Sequence, residues 1–525
     1  MRSVTGARTF VGFFVRRDRW MVMWWVVGGV ILYWSQAISV EGLYTTQAEF
    51  DRAAASMESN AGFIAMAGPP RVLNTVGGQV AWQSSAFGAI VAGLMSMFLV
   101  GRHTRAEEES GREELVRAGA VGRHSTIIAT AAVVAIANAV LGAGIALSLI
   151  AYGLPVAGSA SLGVAATLAG LVFGAVALVA AQLTEGTRSM YGLTGAVMGV
   201  AYVVRAAGDV AENGLSWLSP IGWGQAMRAY AGEIWWPVAI SVFTVALLTT
   251  VAWRLLDRRD LGSGVWPTRR GPATSDIGAF GLAWRLQRGA LMGWTLGMLL
   301  VGVSYGSIGN DVESLLGDSG FSDSFVAAGA DSMVDGFYGS AILMIAVITS
   351  AYAISSAARP RGEELSGRLE PLLSTALPRV RWALGHTAVT VIGVVAVLLA
   401  GGFGTGLVYG LVAGDLSQVG RLTGSALAYT PAVLVLSAVT RLLYGISARI
   451  AVAGWLGMVF CAVVMLFGSL WRLPGWLTGV SPFDHMPIMP VESFALGPWL
   501  AVAAVAVALS VAGHLLLERR DIAAV

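Results

Sequence analysis

Lysine is absent from this chain: its 33 Lys and Arg residues are all arginine. No P-loop lysine, Schiff-base lysine or lysine general base can exist here. Cysteine is nearly absent too. Cys461 stands alone inside an apolar run, which excludes an intrachain disulfide and a thiolate metal cluster. The five histidines, His103, His124, His386, His485 and His514, are scattered without HExxH or comparable ligand spacing. They are expected to be structural or solvated, with no metal bound. Charge of either sign is scarce as well, at 12% of residues, against about 25% in soluble domains. No paired acids, ligand cluster or activated nucleophile lies in or near the apolar runs, which argues against a membrane enzyme.

What fills the chain instead is apolar: 56% hydrophobic residues and a mean hydropathy of +0.71. The expected class is an all-α integral membrane protein. Phe10–Val15, beside Arg16, Arg17 and Arg19, reads as a short, uncleaved interfacial helix leading into a first span near Trp20–Ile38. A polar stretch, Glu41–Val80, separates it from a second span near Trp82–Val100. Spans three to six follow at about Ser125–Ile150, Leu162–Gln182, Tyr191–Ala207 and Pro237–Leu256. The Trp-rich, polar segment Asp209–Trp235 is too polar to cross and reads as a re-entrant or interfacial hairpin.

Between spans two and three lies a charged island, Arg102–Arg123, and it returns 256 residues later as Arg359–Arg381. The copies agree at Arg105/Arg361, Glu107/Glu363, Glu108/Glu364, Ser110/Ser366, Gly111/Gly367, Arg112/Arg368, Glu114/Glu370 and Arg123/Arg379. Glu108 to Arg112, Glu113 to Arg117 and Glu364 to Arg368 place Glu four residues before Arg, the favourable order on a surface helix. The rest of the chain repeats with it. Arg16, Arg19 and Trp25 recur as Arg285, Arg288 and Trp294, Ser219-Pro220 as Ser481-Pro482, and Arg258-Arg259-Asp260 as Arg519-Arg520-Asp521. The expected organisation is a first six-span repeat over 1–260, a linker over 261–280 and a second six-span repeat over 281–525. The twelve spans then form two parallel six-helix repeats, because an even number of spans returns each half to the same side. Arginine distribution sets orientation. All but Arg52, Arg71, Arg205, Arg228, Arg421 and Arg472 fall on the side of the islands, so both termini are expected to be cytoplasmic.

The island TRAEEESGREELVRAGAVGR, its copy RGEELSGRLEPLLSTALPRVR, the LSPIGWGQAMRAY segment and the two RRD endings resemble the permease subunits of ABC-2-type exporters. They look most like the double-length permeases of actinobacteria associated with export of polyketide ionophores of the tetronasin kind. That resemblance implies an ABC-2 exporter fold in a bacterial plasma membrane and a coupling helix in each half, over 105–117 and 361–373. It implies docking on a separate ATPase, two copies per permease, through Glu107, Glu108, Ser110, Gly111, Arg112, Glu114, Glu363, Glu364, Ser366, Gly367, Arg368 and Glu370. It also implies re-entrant elements over Leu218–Trp236 and Val480–Pro498. ATP and magnesium would sit on the partner, none on this chain. Pro371 in place of Leu115 implies two unequal docking sites.

The implied activity is outward transport of bulky apolar small molecules such as antibiotics. Lipid or cell-envelope precursors are the alternative cargo, and a proton-coupled multidrug carrier is the alternative mechanism. That mechanism expects acids or histidines within the spans, which are nearly free of acids. No nucleic acid is expected as a partner. A substrate path in the family layout would draw on Phe87, Met95, Phe98, Tyr191, Met198, Tyr202, Met344, Trp455 and Met458, since aromatic and thioether groups suit large, variable apolar ligands. Each of these is equally suited to ordinary helix packing.

Overall fold

The structure is a computed structural model, and it describes residues 4–43, 46–59, 61–119, 121–266, 278–309, 333–467 and 473–521. The chain divides into two compact units, Met1–Gly271 and Pro272–Val525. Every regular element among the described residues is helical.

In the first unit, α1 (Ala7–Leu43), α4 (Val76–His103), α7 (Ser125–Tyr152), α8 (Val156–Leu183), α9 (Thr187–Val210) and α11 (Pro237–Asp257) are long and apolar enough to cross a membrane. Short helices α2 (Gln47–Ser59) and α3 (Ala61–Ala67) occupy the polar stretch before α4. The island holds α5 (Arg105–Glu109) and α6 (Arg112–Arg117), and α10 (Pro220–Ala226) precedes α11. The expected lead-in helix and first span are one uninterrupted helix of 37 residues. Its internal charge Asp18 is paired, so no break in the helix is needed to hydrate it.

In the second unit the long apolar helices are α12 (Ala279–Gly306), α13 (Met333–Ala357), α16 (Arg379–Ala413), the nearly continuous pair α17 (Ser417–Ala428) and α18 (Thr430–Ile446), and α21 (Leu496–Arg519). Its island holds α14 (Arg359–Leu365) and α15 (Leu369–Leu373). Among the described residues eleven segments reach spanning length, against the twelve expected. The remaining one, α19 (Gly454–Phe467), is apolar but has only 14 residues, and the segment after it, 468–472, lies outside the described residues. Also outside them are 267–277 of the linker and Arg472. A four-residue helix, α20 (Gly475–Thr478), precedes α21.

Burial is graded in the same way in both units. The helices that lead into the islands, α4 and α13, are mostly buried, whereas few residues of α1, α11, α12 and α21 are fully buried. Close approach of helices rests on glycine. Gly153 takes the left-handed conformation (φ 106°) that ends α7, donating to Ile150 O (2.9 Å), and Pro155 then opens α8. The two helices cross at Gly142 and Gly163, where an added Cβ would lie 2.4 and 2.3 Å from the opposing carbonyl oxygen. In the second unit Gly445 and Gly513 bring α18 against α21, where an added Cβ would lie 2.3 Å from Gly513 O and 2.9 Å from Arg441 O.

Candidate functional site

Each island is two short helices hinged at Ser-Gly. Gly111 and Gly367 both take left-handed backbone conformations, φ 71° and 70°, with open space where a side chain would stand. The stretches 105–117 and 361–373 are therefore helical in two pieces rather than continuous. The first piece of each is fixed to its own unit by charged contacts; the second is seated through one residue, Glu113 accepting from Thr126 (3.1 Å) or Leu369 buried against Trp382 and Tyr444, and exposes its neighbours.

The fixing contacts repeat in outline, with Tyr444 on the second carboxylate where Arg105 is on the first. In the first unit Arg259, near the end of the RRD sequence after α11, grips Glu108 with both terminal nitrogens (2.6 and 2.9 Å). Glu108 also accepts from Arg105 at 2.8 Å. Arg105 donates through Nε to the Ala181 carbonyl at the end of α8, and Arg259 Nε donates to Gln182 Oε1 at 2.8 Å. In the second unit Arg520 meets Glu364 at 2.6 Å, Tyr444 donates to the same carboxylate at 2.7 Å, and Arg361 Nε donates to the Ala448 carbonyl at 2.8 Å. Arg123 donates to the Leu256 and Arg259 carbonyls (2.7 and 2.9 Å) as Arg379 does to that of Arg520 (2.8 Å). The Glu108 and Glu364 side chains are 6% and 5% exposed.

Glu107 and Glu363 form a looser layer. Glu107 meets Arg17 of α1 at 2.7 Å and Arg112 at 3.6 Å; Glu363 meets Arg359 at 2.8 Å and Arg368 at 3.9 Å. Beyond the hinge, Arg112 and Arg368 are exposed, as are Glu114 and Glu370, Leu115 (78% exposed) and Pro371. Of the residues taken together from sequence as docking groups, Glu108 and Glu364 are thus structural anchors. Ser110, Arg112, Glu114, Ser366, Arg368 and Glu370 are the ones a partner could touch.

His103 and His124 are packed into structural pairs. His103 is fully buried against Asp18 (2.5 Å) and stacks on Phe14; His124 sits 3.0 Å from Asp257 and stacks on Trp253. Among the described residues no group of His, Cys, Asp or Glu could hold a metal ion.

Opposite the island end of α9, a second cluster closes the α3 C-terminus, whose last carbonyls have no helical partner. Arg205 donates to Ala65 O (2.8 Å) and Met66 O (3.1 Å), and Tyr202 to Met66 O (2.8 Å). Gln225 of α10 donates to Ala67 O (2.5 Å), and Trp82 to Gly68 O (2.7 Å). Ser219 caps α10 through Ile221 N (3.2 Å), whereas Ser481-Pro482 opens a run of turns with no helix before α21. Burial holds the guanidinium of Arg71, which donates to Gln225 O, below its ordinary pKa, and pushes the Tyr230 phenol up to about 12.

The candidate path residues are not gathered into one lining. Met95 and Met198 are buried in the core of the first unit, and Tyr202 is committed to the α3 cap with the Arg205 guanidinium over its ring. Phe98 lies between Trp25 (6.0 Å) and Tyr191 (5.3 Å). Phe87 and Trp455 are exposed; Met344 and Met458 are half-buried in the second unit. What sequence reasoning missed is a pair of apolar grooves of about 500 and 480 Å³. One is lined by Met21, Trp24, Trp25, Gly28, Gly29, Leu32 and Val91, the other by Ala290, Gly293, Trp294, Gly297, Met298, Val301 and Ile348. The α1 and α12 residues of the two correspond one for one, 269 apart, the offset at which Trp25 recurs as Trp294.

Residues 277–517 match the family described as "Multidrug efflux system permease Rv1217c, C-terminal domain". Over 526 aligned residues the chain is 36% identical to the "Multidrug efflux system permease protein Rv1217c" of Mycobacterium tuberculosis (strain ATCC 25618 / H37Rv), covering 99% of this chain and 95% of that one.

Proposed function

The chain belongs to the Rv1217c family of multidrug efflux system permeases, and from that premise we propose that it is the membrane-spanning subunit of an ATP-driven drug exporter. The observation that carries the reading is 36% identity over nearly the full length to a permease so named, in a chain whose two islands are each anchored through a buried Glu and an RRD arginine. In this reading twelve spans form two six-helix repeats of the ABC-2 exporter fold in a bacterial plasma membrane. The islands and both termini are cytoplasmic. Separate ATPase subunits, two per permease, bind ATP and magnesium and dock on the exposed residues of Ser110–Leu115 and Ser366–Pro371.

The division of each island explains how force would pass. A partner pressing on the second piece acts through the Ser-Gly hinge on the first. The first is tied by Glu108–Arg259 or Glu364–Arg520 to the ends of the spans, so a tilt of the island moves α11 and α8, or α21 and α18, together. Leu115 against Pro371 makes the two surfaces unequal. The cargo is bulky and apolar, including molecules of the tetronasin kind. The paired grooves support this: two tryptophans in one, one in the other, a floor of small residues, and no charged lining.

Deletion of the permease with its ATPase should raise accumulation of, and sensitivity to, a panel of lipophilic drugs. Re-expression should reverse this, and an ATPase-dead partner should not. Unchanged drug accumulation with altered envelope lipids would replace the drug reading with lipid export. Transport by the permease alone on a proton gradient would replace ATP drive.

A further inference from the structure

The end of α18 carries a buried cation without an anion. Arg441 is 9% exposed, and its terminal nitrogens donate to two neutral hydroxyls, Ser437 Oγ (2.8 Å) and Ser510 Oγ; its Nε has no partner among the described residues. The other deeply buried arginines differ. Arg105 and Arg259 each meet Glu108, at 2.8 and 2.6 Å, and Arg205 meets Asp209 at 3.4 Å. No carboxylate among the described residues lies within 4.0 Å of Arg441, and Glu364 of the neighbouring anchor is committed to Arg520 and Tyr444. A guanidinium cannot shed its charge by titration, so burial without a counter-charge is costly.

The side chain borders a small cavity that is also lined by Pro360, His386, Thr390, Tyr444 and His514. His386 is 2% exposed. Its Nδ1 faces Gln287 Nε2 at 3.1 Å, and its Nε2 has no partner among the described residues. His514 Nδ1 donates to Ser510 O (2.6 Å), and its Nε2 faces the Thr387 hydroxyl at 3.2 Å. The cavity is thus bordered by a fixed positive charge and an unpartnered imidazole nitrogen, with no acid in its lining. It lies at the island end of the second unit, where Tyr444 reaches Glu364.

This arrangement is not part of the repeated scaffold. Ala181 and Ala448, the carbonyls that receive Arg105 and Arg361, are 267 apart. At that offset the counterpart of Arg441 is Gly174, packed against Val134. We propose that Arg441 and His386 hold a compact anionic group, either a free ion or the phosphate of an acidic phospholipid headgroup, in this cavity of the second unit.

The full chain, purified in neutral detergent with sodium gluconate, would be unfolded thermally while chloride or inorganic phosphate replaces gluconate at constant ionic strength. A second arm would use phosphatidylcholine vesicles with and without phosphatidylglycerol. The melting temperature of the wild type should rise saturably with the bound species. A response to the ions identifies a free anion and a response confined to phosphatidylglycerol identifies a headgroup; either supports the site. Arg441→Gln should abolish the response. His386→Phe, which keeps the buried charge, should raise half-saturation by about tenfold, and it carries the test if Arg441→Gln does not fold. The site is overturned by no saturable response in either arm, by an Arg441→Gln response equal to the wild type's, or by unchanged half-saturation in His386→Phe.

Discussion

Replacing Glu108 by Gln should unseat the first island, whereas the same change at Glu114 should leave it in place. Glu108 accepts from both terminal nitrogens of Arg259 and from Arg105, with only 6% of its side chain exposed and 3% of that of Arg259. Removing the carboxylate charge takes its ion-pair partner from buried Arg259 and leaves Arg105 only the more distant Glu185 and Glu109. Breaking one partner of such a pair costs about 3–5 kcal/mol, and solvent screening takes little away at this exposure. The contact of exposed Arg112 with Glu107 at 3.6 Å is of the surface kind, worth about 0–1 kcal/mol. Thermal unfolding of the purified chain in detergent should therefore place Glu108→Gln and Arg259→Gln well below the wild type, and Glu114→Gln and Arg112→Gln close to it. The Glu108→Gln/Arg259→Gln double variant should be far less destabilised than the sum of the singles, since the two groups form one unit. Glu364→Gln should behave like Glu108→Gln, with a smaller effect because Arg520 is 15% exposed. Equal melting temperatures for Glu108→Gln and Glu114→Gln would refute the division into anchor and presenting surface.

Gly111→Ala and Gly367→Ala should each cost about 1 kcal/mol, from backbone conformation alone, since no atom lies near the new Cβ; Asn should be tolerated better. The check is the melting temperature of both series. Gly163→Ala should cost about 1–3 kcal/mol, because the Cβ meets the carbonyl of Gly142, which cannot swing aside; Gly153→Ala, with open space and left-handed backbone, should cost less. Leu115→Asp combined with Glu114→Arg and Glu370→Arg should reduce co-purification of an ATPase without lowering the melting temperature. Trp25→Ala and Trp294→Ala, one in each groove, should each alter the drug spectrum of transport, measured as accumulation across a lipophilic panel.

Much of this architecture is legible from spacing. The 256-residue echo of the island and the recurring RRD mark Arg105, Glu108, Arg123 and Arg259 with their copies, and the structure gives these residues intramolecular contacts in both units. The contacts themselves are not legible, because the partner of Glu108 lies 151 residues away and a Glu four residues before Arg112 looks locally like a surface pair. The agreement of Gly111 with Gly367 was a readable sign of a hinge, since a glycine kept at both places in a helical stretch points to left-handed backbone. Met95 and Met198 could not be separated from lining residues, as helix periodicity in an apolar segment does not distinguish core from cavity. The paired grooves were missed for a related reason: their signature is small residues beside tryptophan on α1 and α12, a pattern that also serves interfacial anchoring.

The deciding assay is ATP-dependent uptake of a lipophilic dye into inside-out proteoliposomes that contain this permease and the ATPase proposed as its partner. Uptake should need both subunits and hydrolysable ATP, continue when the proton gradient is collapsed, and be lost when the exposed residues Arg112, Glu114, Leu115, Arg368, Glu370 and Pro371 are altered together. Undiminished uptake by the permease alone, driven by a proton gradient without ATP, would contradict ATP-driven export.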